Sequence, residues 1–69
     1  MSAPEPSPQE DLPYRIELWL PDRSAVERLL ARAISAELAR AIFMAAQGEY
    51  PQRRITLSKG QATVLDSAA

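Results

Sequence analysis

The chain has no cysteine, no histidine and only two glycines among its 69 residues. Each lack removes a class of chemistry. Without cysteine there is neither disulfide nor thiolate, so no particular redox compartment is demanded. Without histidine the commonest general base and the commonest metal ligand are gone. Gly48 and Gly60 are too few for the glycine-rich loops that cradle phosphates. No apolar run approaches the roughly 20 residues of a membrane span, and the N-terminus lacks the basic-then-apolar pattern of a signal peptide. Ser24, Ser35, Ser58 and Ser67 have no relay to activate them, and Glu17, Glu27, Glu37 and Glu49 lie on separate elements. No catalytic residue, no metal ligand, no cofactor and no small-molecule substrate is expected. The expected location is the cytoplasm.

What is present divides in two. Residues 1–13 hold Pro4, Pro6, Pro8 and Pro13 with Glu5, Glu10 and Asp11 and no base. Alternating proline removes backbone donors and favours solvated, extended chain, so this stretch reads as a disordered acidic leader. The remainder carries eight bases, seven of them Arg, against six acids. It reads as one small domain over residues 14–66, with residues 67–69 as a frayed end. A chain this short buries only about 60% of its unfolded surface.

The firmest element runs from Ser35 to Gly48. Ser35 is a good N-cap, Glu37 places a negative charge in the first turn, and Gly48 offers a stop. Leu38, Ala41, Ile42 and Ala45 recur at helical spacing, with Phe43 and Met44 beside them, and this stripe is the expected core face. Tyr14 to Leu20 alternates Tyr14, Ile16, Leu18 and Leu20 against Arg15, Glu17 and Trp19, which is the period of a half-covered strand. Pro21-Asp22 then forces a turn.

Ser24 to Ile34 admits two readings. Locally it is helical: Ser24 and Glu27 form a capping-box pattern, and Val26, Leu30 and Ile34 lead into Leu38. One helix from Ser24 to Gly48 would then be about 37 Å long, against strands of roughly 24 Å, giving a βαββ fold. The favoured reading makes Ala25 to Ala33 a second strand. A loop over Pro21–Ser24 sets Trp19 opposite Val26, Glu17 opposite Arg28, Leu18 opposite Glu27 and Ile16 opposite Leu29. Such cross-strand pairs contribute a few tenths to about 1 kcal/mol each.

Arg53 to Ser58 and Gln61 to Leu65 form a second hairpin about Lys59-Gly60, with Gly60 supplying the positive φ of a tight turn. A two-residue loop there pairs Leu57 with Ala62 and Ile55 with Val64. Tyr50 can fold back over the core. The expected architecture is α+β: two hairpins in a small antiparallel sheet, one helix on one face, order ββαββ. The segments YRIELWLPD, AELARAIFMAAQGEYP and RRITLSKGQATVL resemble a set of very short uncharacterised bacterial proteins, alphaproteobacterial by their pattern. In these a hairpin, a helix and a second hairpin follow in the same order. The resemblance implies that layout and no activity.

Two binding roles follow from the registers. Trp19, Val26, Leu30 and Leu65 would lie on the sheet face away from the helix, a patch that in so small a domain marks a protein partner or a homodimer. Arg53, Arg54 and Lys59 would form a basic face for nucleic-acid phosphates, with Trp19 as a stacking platform; the low isoelectric point of 5.3 weighs against it.

Overall fold

In the computed structural model the described residues are 12–68. The leader expected over residues 1–13 lies outside them except for Leu12 and Pro13. The described chain folds as β1 (Tyr14–Trp19), β2 (Val26–Ala33), α1 (Ala36–Glu49), β3 (Ile55–Lys59) and β4 (Ala62–Asp66). The four strands make one sheet in the order β2-β1-β3-β4, with every neighbouring pair antiparallel. The order ββαββ is as the sequence implied. A single long helix from Ser24 does not form.

The break between β2 and α1 follows from local chemistry. Ser35 sits in extended backbone and its Oγ accepts from the Leu38 N–H at 3.2 Å, so the helix starts there. Both β2 and β3 are antiparallel to β1, hence parallel to each other, and α1 crosses over β1 to join them. At 1.5 Å per residue the helix is about 21 Å long, which matches strands of this length.

β1 and β3 carry the core. Ile16, Leu18, Ile55 and Leu57 are buried against Ala39, Phe43 and Ala46 of the helix and Ala33 of β2, and Tyr50 folds back onto them. Fully covering an aliphatic side chain contributes about 1.5–3 kcal/mol, so these four residues account for much of the cohesion. The helix is rotated from the sequence-based expectation. Ala39, Phe43 and Ala46 face the sheet, whereas Leu38 is 54% exposed and Met44 69%. Two alanines let the helix approach the strands, and Phe43, larger than Leu38, fills the space between them. Gly48 lies inside the last turn rather than ending it, and Tyr50 forms the cap.

Both hairpins differ in register from the expectation. Trp19 does face Val26, but Leu18 faces Arg28, Glu17 faces Leu29 and Ile16 faces Ala31. Two irregularities on β2 leave Glu27 and Leu30 as extra residues, and the anticipated Glu17–Arg28 pair is not made. Each bulge moves the alternation by one residue, which returns Ala31 and Ala33 to the helix side. In the second hairpin Lys59 faces Ala62, so the tight turn is Gly60-Gln61, with Gly60 at φ 59. A further irregularity between Leu57 and Ser58 leaves Val64 as an extra residue and puts Leu65, rather than the expected Ala62, opposite Leu57. Ser67, expected to be frayed, is held at both ends: its N–H donates to Ile55 O, and its Oγ accepts from Ile55 N–H.

Candidate functional site

The sheet face without the helix is closed by its own polar groups. Trp19 lies across β3 and its indole N–H donates to Thr56 Oγ1 at 2.9 Å. The Arg54 guanidinium stacks over the Trp19 ring, 4.2 Å from its centroid. Arg54 also makes a bidentate contact to Asp66, the shortest distance being 2.6 Å to Oδ2. These hydrogen bonds hold the Asp66 carboxyl below the usual carboxylate range, helped by the Ala68 N–H. Beneath this layer Thr56 and Ser58 are buried although no helix covers them.

Arg53 ties the strand ends together. Its Nε and Nη2 donate to the Trp19 carbonyl at 3.1 and 2.6 Å, and Nη2 also reaches Glu27 Oε1 at 2.6 Å. This explains Glu27: the bulge swings it from the core side, where the sequence had placed it, onto Arg53.

The residues named as a nucleic-acid contact therefore do not converge. Arg53 and Arg54 are each engaged with an acid, and Lys59 stands at the other end of β3, 5.4 Å from the Tyr14 ring centroid. The four residues named as an interface are divided as well. Trp19 and Val26 are neighbours on the open face, but Leu30 and Leu65 pack against the core cluster on the helix side. The bulges at Leu30 and Val64 are the physical reason, because each turns one residue of the alternation over.

The uncovered apolar surface lies elsewhere. Leu38 and Ala45 are exposed on one flank of α1, with half-buried Ile42 between them at the edge of the core, and Ile34 precedes them at 60% exposure. That flank looks toward β2, one of the two edge strands of the described sheet. Between the flank and β2 is a groove of about 320 Å³, lined by Leu30, Ala31, Ile42, Ala45 and Ala46, with Glu49 and Tyr50 closing one end. Sequence reasoning found this stripe and assigned it to the core. The signal it missed was the competing stripe through Ala39, Phe43 and Ala46, which takes the sheet, leaves Leu38, Ala41 and Ala45 exposed and keeps only Ile42 at the edge of the core.

No helix among the described residues is long and apolar enough to cross a membrane. Comparison with protein-family models, with curated proteins and with solved structures gave no match to this chain, so its function rests on the surfaces described above.

Proposed function

We propose that this chain is a non-enzymatic protein-interaction module that associates with a second copy of itself through the flank of α1 and the adjoining edge of β2. The observation that carries the reading is the apolar flank of Ile34, Leu38, Ile42 and Ala45, contiguous with the groove beside edge strand β2. A domain of this size rarely leaves such a surface bare. The flank and the edge lie on the same side of the molecule. Two copies related by a two-fold axis along that side set flank against flank, apolar on apolar, with no second kind of surface required. The same contact adds core that a domain this short lacks alone.

The two extra residues on β2 bear on the form of the contact. A bulged edge resists continuous strand pairing, so the helical flanks supply most of the burial and the β2 edges lie alongside. Leu38 is about half exposed in one copy. Completing its burial in both copies contributes roughly 2 kcal/mol. Leu38→Glu removes that gain and places a carboxylate in the contact, raising the dissociation constant by more than about tenfold. Because Leu38 is outside the core, the circular dichroism of the variant stays that of the wild type. Sedimentation of both proteins over a concentration series is the test. A Leu38→Glu protein that associates as well as the wild type disproves this interface.

A further inference from the structure

A second concave surface, which shares Tyr50 with the groove, lies where the β1–β2 turn, the end of α1 and the end of β4 meet. It is an open pocket of about 280 Å³ lined by Arg23, Gln47, Tyr50, Gln52, Arg53 and Ser67, with two small apolar neighbours. We propose that this pocket binds a phosphate group, free or as a small phosphomonoester.

The lining is rich in donors and contains no carboxylate. Arg53 is fixed through Nε and Nη2 by the Trp19 carbonyl and Glu27, which pairs its charge, so it lines the pocket as a rigid wall rather than as the anion's main counter-charge. Ser67 Oγ already accepts from the Ile55 N–H, which leaves its own proton to donate. Two acids stand behind the lining: Glu27 is paired with Arg53, and Asp66 is taken up by Arg54 and the Ala68 N–H. Arg53 shares its charge with Glu27, so Arg23 brings the positive charge to this cavity, and the Ser67 hydroxyl and the side-chain amides beside it suit a ligand that brings acceptors. A tetrahedral oxyanion supplies negative charge and acceptors on several sides, and charge-assisted bonds from Arg are the strongest available to it.

The backbone at Arg23 is the second observation. The turn closes itself without that side chain: Arg23 N–H donates to Leu20 O at 2.8 Å, and Asp22 Oδ1 accepts from the Ser24 N–H and hydroxyl. Arg23 then adopts φ 64, the left-handed conformation. After a turn of this kind glycine is the usual occupant, and a side chain with a Cβ is strained there. Local geometry gives no reason for Arg at this position, whereas the pocket does, since Arg23 lines it. Outliers of this sort gather at ligand sites.

The test uses the full chain and backbone amide NMR, titrated with sodium phosphate, with glycerol 1-phosphate, and with sodium chloride at matched ionic strength. Saturable shifts are expected at Arg23, Gln52, Ser67 and Ala68 with both phosphates and not with chloride. Tighter binding of the ester assigns the ligand as a phosphomonoester, and equal binding assigns it as free phosphate. Arg23→Gly should abolish the shifts while keeping or raising the melting temperature, because glycine relieves the strained φ. Gln52→Glu, which leaves the turn untouched, should abolish them too and carries the test if Arg23→Gly is poorly folded. Non-saturating shifts shared with chloride overturn the proposal, as does unchanged phosphate binding in Gln52→Glu. A large loss of melting temperature in Arg23→Gly, with no phosphate response in the wild type, assigns Arg23 a purely structural role and also overturns it.

Discussion

Replacing Trp19 by Phe isolates one hydrogen bond in the closed sheet face. The phenyl ring keeps an aromatic surface under Arg54, but the donor to Thr56 Oγ1 disappears. Thr56 is 2% exposed, so water cannot replace the lost partner. A buried polar atom left without its bond costs about 1–3 kcal/mol. The weaker attraction of Arg for a phenyl ring adds a few tenths at this half-buried site. The expected destabilisation is therefore about 2 kcal/mol, or roughly 8–16 °C in melting temperature for a domain of this size. Urea unfolding followed by circular dichroism is the assay, since the variant has no tryptophan to report by fluorescence. Protein concentration must be held constant because association and stability are linked. The second leg is Thr56→Val in the Trp19→Phe background. It removes the orphaned hydroxyl while keeping the shape, so it should recover most of the loss. If Trp19→Phe leaves the urea midpoint unchanged, or if the double variant is no more stable than the two single losses combined, the Trp19–Thr56 bond is not holding this face.

Four further substitutions separate the parts of the fold. Gly48 lies within the helix and a Cβ there meets nothing within 4 Å, so Gly48→Ala should stabilise by about 0.5–1 kcal/mol. Gly60→Ala also meets no neighbour, but at φ 59 it should destabilise by about 1 kcal/mol; thermal melts of the pair, opposite in sign, check both. Phe43→Ala removes the largest side chain between helix and sheet, costing about 3–5 kcal/mol, and loss of the cooperative thermal transition is the readout. Asp66 has its folded-state pKa lowered by Arg54. Its contribution is present above the unfolded carboxylate value of about 4 and is lost as pH falls through the lowered one. Asp66→Asn should therefore flatten the acid side of the stability–pH curve, read by melts between about pH 2 and 6.

How far the sequence carried depends on which signals are local. The order of elements was legible because each boundary has a chemical mark: alternation through Tyr14–Trp19, Pro21-Asp22 at the first turn, Ser35 as a cap, Gly60 at the second turn. Register was legible at Trp19–Val26 and not beyond it. Glu27, Leu30 and Val64 are extra residues that period-two counting cannot anticipate, and each reversed the facing of its neighbours. The helix offered two apolar stripes one residue apart. Choosing between them required knowing that Phe43 fills the sheet face better than Leu38, which is a matter of packing volume rather than spacing. The interface residues failed for the same reason: Leu30 and Leu65 were placed by alternation, and bulges turned both toward the core. Arg53 and Arg54 were read as one basic face with Lys59 because the acids that engage them, Glu27 and Asp66, are distant in sequence and meet them only in the sheet.

The central claim is that the flank of α1 beside β2 is an interface between two copies. Sedimentation equilibrium of the wild-type chain, from micromolar to near-millimolar concentration, tests it most directly. The account predicts a reversible rise from the 7.6 kDa monomer to twice that mass, with Leu38→Glu shifting the transition to higher concentration. A wild-type protein that stays monomeric across the whole range contradicts it.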